Sequence, residues 1–248
     1  VRFGIISDIH ANSEALIAVL GALDGLGVDR ILCLGDIVGY GPDPDICVEK
    51  VLKRSAAVVR GNHDKAAAGL LDLAWFNRMA RQAALWTRGA MNPANLRLVR
   101  DLPQGPREVG EGVLICHGTP YDEDEYLMES RAATRSYAYL DENHPDVRIC
   151  LHGHTHQPIV IARRPGEKPQ VHVWKERTDL EPGVTYLINP GSVGQPRDGI
   201  ELASFGILDT VGRAYKNLRA AYPISDTEKK ILSAGLPAEL AYRLEHGR

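Results

Sequence analysis

Cysteine is scarce in this chain and unpatterned: the four residues Cys33, Cys47, Cys116 and Cys150 include no Cys-x-x-Cys spacing, so a cysteine-based metal or redox motif is absent. Three of them fall inside apolar runs, where a thiol acts as a small buried hydrophobe, and a reducing cytoplasm suits them. Long hydrophobic runs are missing too. No stretch approaches the roughly 18 apolar residues of a membrane span, and no basic-then-apolar leader precedes Phe3. Neither a helical membrane anchor nor export by that route is expected, and the expected location is cytoplasmic. There is no surplus of basic charge: 29 Lys and Arg stand against 32 Asp and Glu, for a net charge of −3 and a pI near 6.3. General duplex nucleic-acid binding is therefore not expected. Internal repeats and linker-like segments are also lacking, and 248 residues with 44% hydrophobic content suit one domain over residues 1–248 with a sizeable α/β core.

What the chain does have is a series of short apolar runs, each ending in histidine or aspartate. Phe3-Gly4-Ile5-Ile6 leads to Asp8-Ile9-His10, Ile31-Leu32-Cys33-Leu34 to Gly35-Asp36, and Ala56-Ala57-Val58-Val59 to Gly61-Asn62-His63-Asp64. Val113-Leu114-Ile115-Cys116 leads to His117-Gly118, and Val147-Arg148-Ile149-Cys150-Leu151 to Gly153-His154-Thr155-His156. Runs this short and rich in β-branched residues read as strands buried on both faces. Between the first two, Ala15, Leu16, Val19, Leu20 and Leu23 recur at helical spacing, with Asn12 or Ser13 as the candidate cap. A strand, helix, strand order favours parallel pairing. Ligands in such sheets collect at the carboxyl ends of the strands, and all five blocks would meet there.

In these residues the chain resembles the calcineurin-like metallophosphoesterase superfamily, with its order Asp-x-His, Gly-Asp, Gly-Asn-His-(Asp/Glu), His and Gly-His-x-His. The resemblance covers about residues 2–209. It implies an α/β fold of the α+β kind: a four-layer αββα sandwich of two mixed sheets flanked by helices. It further implies a metal-dependent phosphoric ester hydrolase, a phosphodiesterase or a phosphatase, with two cations about 3.5–4 Å apart bridged by a hydroxide that attacks phosphorus in line. One metal would take Asp8, His10 and His156, the other Asn62, His117 and His154, with Asp36 shared. Mixed carboxylate and imidazole donors favour manganese, iron, zinc, cobalt or nickel over magnesium or calcium. An extended His154-Thr155-His156 would send both rings to one face, and a bend at Gly153 would divide them between the metals. His63, not a ligand by this resemblance, would face substrate to stabilise phosphoryl charge or protonate the leaving oxygen. Asp64 would cap a helix at Lys65-Ala66-Ala67-Ala68 or orient His63, capping being the expected role.

A second resemblance, of Asn189-Pro190-Gly191-Ser192-Val193-Gly194-Gln195-Pro196-Arg197 to a segment of small bacterial phosphodiesterases, makes Arg197 a candidate partner for a substrate phosphate; a surface salt bridge is the competing role. The chain departs from the serine/threonine protein phosphatase pattern, reading Gly35-Asp36-Ile37-Val38-Gly39-Tyr40-Gly41 where that pattern places a phosphate-gripping Asp-Arg. Protein phosphatase and symmetrical diadenosine tetraphosphatase activities are not expected. Tyr40 is instead a candidate to stack on a base or sugar, or a packed loop tyrosine.

A small helical insertion is expected over about 66–102. Its Arg78, Arg81, Arg88, Arg97 and Arg100 read as a solvated helix face; its Leu70, Leu71, Leu73, Trp75, Phe76, Leu85 and Trp86 should pack on the body or line the cleft as a small cap. Asp122-Glu123-Asp124-Glu125 reads as a solvated loop, or as a selectivity element against anionic substrates. Ile159-Val160-Ile161, Val171-His172-Val173-Trp174, Val184 to Ile188 and Ala203 to Leu208 should form a second, largely antiparallel sheet. A helical tail from about 223 to 248 either packs back or forms a dimer contact. The expected partner is a small phosphate ester, a nucleotide among the candidates. The rival readings are a non-catalytic scaffold, as the fold serves in a retromer subunit, and a nuclease, which the weak basic charge disfavours.

Overall fold

The computed structural model describes residues 1–173 and 176–248. In chain order the elements are β1 (Arg2–Ile6), α1 (Ser13–Gly25), β2 (Arg30–Cys33), α2 (Pro44–Arg54), β3 (Ser55–Val58), α3 (Asn62–Ala68), α4 (Arg78–Ala90), α5 (Pro93–Arg100), β4 (Arg107–Gly110), β5 (Val113–Ile115), α6 (Ser130–Asn143) and β6 (Ile149–Leu151). There follow β7 (Pro158–Arg163), β8 (Gln170–Val173), β9 (Arg177–Asp179), β10 (Thr185–Pro190), β11 (Ala203–Asp209), β12 (Ala214–Ala220), α7 (Ile224–Ser233) and α8 (Ala238–Tyr242). Trp174, at the end of the expected strand Val171-His172-Val173-Trp174, lies outside the described residues.

These strands form two mixed six-stranded sheets, ordered β3-β2-β1-β11-β12-β9 and β4-β5-β6-β10-β7-β8. Alternation along β1 explains the layering. Phe3 and Ile5 face the second sheet, in a shared core with Leu32, Ile115, Leu151 and Ile188. Ile6 points the other way, into a core with Leu16, Val19 and Leu23 of α1 and Val48 of α2. On the far side Leu114, Cys150 and Leu187 pack against Ala133, Tyr137 and Leu140 of α6. Helices, sheet, sheet and helix are thus stacked as four layers. Asn12 is the cap of α1, its side chain accepting the Ala15 N–H at 3.1 Å.

The division of strands between the sheets differs from the expectation. The five ligand-bearing strands do not share one sheet: β1, β2 and β3 lie in the first, β5 and β6 in the second. The later strands are likewise split, with β7, β8 and β10 completing the second sheet and β11 pairing antiparallel with β1 in the first. Strand patterns report burial, and both inner sheets are equally buried, so partner choice is not encoded locally. The edge strands β4 and β9 escaped notice because they are short, polar and largely exposed. In β12 the buried Asn217, donating to Pro190 O at 2.9 Å, interrupts the apolar alternation.

The tail packs back on the body. Ile231 of α7, Leu240 of α8 and Leu244 join Tyr40 and Ala80 and Ala83 of α4 in one apolar cluster. Thr227 donates to Glu14 at 3.1 Å, and the Lys230 ammonium lies 2.8 Å from Asp43. Among the described residues no helix is long and apolar enough to cross a membrane.

Candidate metal centre and adjoining cleft

The loops after β1, β2, β3, β5 and β6 meet at one rim where the two sheets abut. Backbone bonds stitch them together: Asp8 N donates to Gly35 O at 3.0 Å, His10 N to Asp36 O at 2.9 Å and Gly153 N to His117 O at 2.8 Å. Asp8, His10, Asp36, His154 and His156 all hold positive φ, between 48° and 69°. That conformation is unfavourable for residues with a Cβ, and it turns these side chains inward where an extended chain would alternate them. Two glycines allow the crowding. A Cβ at Gly61 would collide with the Asp36 carboxylate, and one at Gly153 with Ser7 and Asp8.

The sequence-predicted donors gather into two buried groups, Asp8, His10, Asp36 and His156 in one and Asp36, His117 and His154 in the other, the donor atoms within each lying within 4.8 Å of one another. Asp36 belongs to both. Its Oδ2 is 3.6 Å from His10 Nε2 and 3.4 Å from His117 Nε2, and Asp8 Oδ1 is 3.4 Å from His156 Nε2. Asn62 Oδ1 lies 3.2 Å from His117 Nε2. The two histidines of the Gly-His-Thr-His block do part company: His156 meets His10, Nε2 to Nε2 at 3.0 Å, while the His154 ring stands 4.8 Å from that of His117.

The outer ring nitrogens set the chemistry of this cluster. His10 Nδ1 contacts Val38 O at 3.3 Å, His117 Nδ1 contacts Leu34 O at 2.8 Å and His156 Nδ1 contacts Gln195 O at 2.6 Å. A carbonyl only accepts, so each Nδ1 carries a proton and each Nε2 is turned inward, with a lone pair in His10 and His156 and, in His117, with a proton that the Asp36 carboxylate holds there and a cation would replace. His154 is held the opposite way, Nε2 donating to Asp124 O at 3.1 Å, which leaves the lone pair on Nδ1. Imidazole nitrogens and carboxylates buried and crowded this closely fit a divalent cation.

The electrostatics agree. Burial raises the Asp8 carboxyl to about 6. Asp36 is equally buried, yet His117 and His63 beside it hold it well below the usual carboxylate range. Burial pulls His10 and His156 well down; it opposes protonation of His117 as well, but the Asp36 carboxylate outweighs it and lifts that imidazole to about 10. The pocket demands positive charge at its centre.

His63, the first residue after Asn62 in α3, donates its backbone N–H to Asp36 Oδ1 at 2.8 Å. Its ring packs between Tyr40 and Phe76, centroids 4.3 and 4.8 Å away, and its Nδ1 is buried with no partner among the described residues. Asp64 caps this helix, as expected, though from its third position and not from before its start. The helix begins at Asn62, and Asp64 lies inside its first turn, accepting the Gly61 and Val38 amides at 2.9 and 3.1 Å. It ties the loop after β2 to α3.

The Asn-Pro-Gly-Ser segment proves to be a frame. Asn189 Nδ2 donates to Gly153 O at 2.6 Å and Thr155 Oγ1 at 3.0 Å, and its Oδ1 accepts Gly191 N at 2.8 Å. Ser192 Oγ donates to Asp8 O at 2.8 Å. These positioning residues were missed, although the Asx-turn signature of Asn-Pro-Gly was the available signal. Arg197 makes no ion pair among the described residues; it bonds Gln195 at 3.1 Å and lies 6.0 Å from the Tyr40 ring. Tyr40 itself is a packed loop residue, its ring 4.7 Å from His10.

Beside the donor cluster opens a cleft of about 400 Å³ lined by Tyr40, His63, Trp75, Phe76, Asp124 and Tyr126, among others. The acidic run is a loop with Asp122 and Asp124 exposed, but it is partly neutralised: Glu123 pairs with Arg60 and Lys65, both at 2.9 Å, and Asp124 with Lys65 at 2.6 Å. Of the insertion arginines, Arg88 bonds the carbonyls of Ala66 and Ala67 at the end of α3, while Arg78, Arg81, Arg97 and Arg100 are exposed. Leu71, Trp75 and Phe76 line the cleft, as a small cap would.

Residues 1–213 match the sequence model of the calcineurin-like phosphoesterase superfamily domain. An uncharacterized protein of Methanocaldococcus jannaschii is 38% identical over 98% of this chain and 97% of its own length. The crystal structure of a metallophosphoesterase from Sphaerobacter thermophilus is similar with a TM-score of 0.82 and 39% identity, covering 100% of this chain and 99% of that one. A hypothetical protein of Pyrococcus horikoshii shares the fold at a TM-score of 0.79 and 19% identity, over 100% and 98% of the two chains.

Proposed function

The chain belongs to the calcineurin-like phosphoesterase superfamily and is a metal-dependent hydrolase of phosphoric esters, and from that premise we propose a dinuclear site acting by in-line attack of an activated water. One cation would be held by Asp8, His10 and His156, the other by Asn62, His117 and His154, with Asp36 common to both. The observation that carries this reading is the convergence of inward-facing imidazole nitrogens on two carboxylates, the outer nitrogens of His10, His117 and His156 each being held by a backbone carbonyl. Divalent ions bound there would supply Lewis acidity, lowering the pKa of water from 15.7 to about 7 and absorbing charge on the phosphoryl oxygens.

The chain's own residues do the rest. Asp36 anchors the His63 amide and so places the imidazole over the cleft beside the donors. His63 there hydrogen-bonds a phosphoryl oxygen or protonates the leaving oxygen. Arg197, with no carboxylate partner among the described residues, offers its guanidinium to the phosphate from the flank of His156, and Tyr40 fixes the ring plane of His63. Residues 1–248 act in this reading as one domain, with the helical region of about 66–102 and the tail of about 223–248 as additions sharing one apolar cluster.

The test is hydrolysis of bis-p-nitrophenyl phosphate beside p-nitrophenyl phosphate by metal-stripped protein resupplied with manganese, iron, zinc, cobalt, nickel or magnesium. Turnover is expected with a transition metal and not with the stripped protein, and the ratio of the two substrates assigns the ester class. No turnover by protein with two ions demonstrably bound would overturn the proposal.

A further inference from the structure

Trp75 is 85% exposed, although it belongs to a chain with only three tryptophans and three phenylalanines. It sits in a single helical turn, Leu73–Trp75, held by the Asp72 side chain accepting the Ala74 amide at 2.9 Å, and it lines the cleft beside the donor cluster. Tyr126, on the loop after β5, lines the same cleft; it is 48% exposed and stacked flat on the donor His154, centroids 4.0 Å apart and planes 13° apart. Tyr40 and Phe76 complete an aromatic lining. A space of about 400 Å³ lies within the size range of small-molecule sites, and exposed rings of this kind are stacking surfaces for other flat rings.

Charge limits what can enter. Among the described residues no lysine or arginine lines the cleft, whereas the Asp124 carboxylate does. The neighbouring cations are already neutralised, Lys65 by Glu123 and Asp124 and Arg60 by Glu123. A phosphate seated on the metal donors is compensated there; a second one in the cleft would meet Asp124 and, among the described residues, no lining cation.

We infer that this cleft binds the leaving-group side of the substrate and selects a flat, uncharged aromatic group carried on a single phosphate, with Trp75 and Tyr126 as stacking surfaces and with no lining cation to receive a second phosphate beside Asp124, whose own charge is taken up by Lys65. The inference rests on the phosphoesterase reading above and narrows its substrate class. Nucleoside or aryl esters of one phosphate fall within it; nucleoside polyphosphates and sugar bisphosphates fall outside.

The test compares 2-naphthylmethyl and cyclohexylmethyl phosphates, as monoesters and as methyl diesters, on metal-loaded protein. Both release primary alcohols of similar basicity, so the ratio of kcat/KM reports recognition and not chemistry. A preference of about tenfold or more for the flat ring is expected, collapsing in Trp75→Ala and in Tyr126→Ala. Both side chains are exposed enough that the fold should persist, which circular dichroism checks. A naphthylmethyl ester bearing a second phosphate on the ring should lose the advantage and regain part of it in Asp124→Asn. Independently of turnover, the Trp75 indole NMR signal, assigned by its loss in Trp75→Phe, should shift on addition of 2-naphthylmethanol. Turnover with a ratio near one in wild type and variants, and an unmoved indole signal, would overturn this inference and leave the hydrolase intact. A shifted indole signal without turnover of any ester would support the aromatic site while the hydrolase reading fell.

Discussion

Asp36 carries the largest consequence of any single residue, because it is shared by both donor groups and also accepts the His63 amide. Asp36→Asn is expected to lose bound metal, measured by inductively coupled plasma mass spectrometry, together with turnover. His63→Ala separates chemistry from binding: it should retain the metal content of the wild type while kcat falls by about 10²–10⁴-fold, the range for removing a positioned acid or base. Loss of metal in that variant would make His63 a structural support of Asn62 and not a catalytic group.

Among the elements, the loop carrying His154 and His156 owes its shape to a neighbour distant in sequence. Asn189 bonds both Gly153 and Thr155, so Asn189→Ala is expected to weaken metal affinity by about 10–100-fold, as loss of a supporting shell commonly does; competition with a chelator measures it. The packing of α1 on the first sheet is a separate matter. Leu23 is fully buried against that sheet, and Leu23→Ala should cost about 2–5 kcal/mol in denaturant unfolding with little change in metal stoichiometry, since the ligand loops lie at the other end of the helix.

For the molecule as a whole, the tail is docked by charge as well as by apolar contact. Burial would raise the Glu14 carboxyl, but its bond to Lys230 brings it below its ordinary 4.5. Lys230, opposed by desolvation, is held above its ordinary 10.5 by Asp43 and Glu14. A carboxyl depressed on folding contributes stability that is complete above 4.5 and is lost as pH falls through the folded value; the raised ammonium keeps its share below 10.5 and loses it as pH rises through its own. Glu14→Gln should therefore lower Tm at pH 7, and the gap from wild type should close on acidification. No gap at pH 7 would show that apolar packing alone holds the tail.

Asp8, His10, Asp36, Asn62, His117, His154 and His156 were legible as a set because each follows a buried strand, and a strand end is a local property of the chain. The division of His154 from His156 was legible only as an expectation, since it depends on positive φ angles that neighbouring loops impose. The sequence by itself determined the ligand-bearing strands, the start of α1 at Asn12 or Ser13, the donor types and the chemistry they serve, all of which rest on short-range pattern and side-chain identity. Only the tertiary structure decided which sheet each strand joins, the framing role of Asn189 and Ser192, the partial neutralisation of the acidic run and the aromatic lining of the cleft. These follow from contacts between residues far apart in the chain, chosen by packing and charge compensation that no local pattern records.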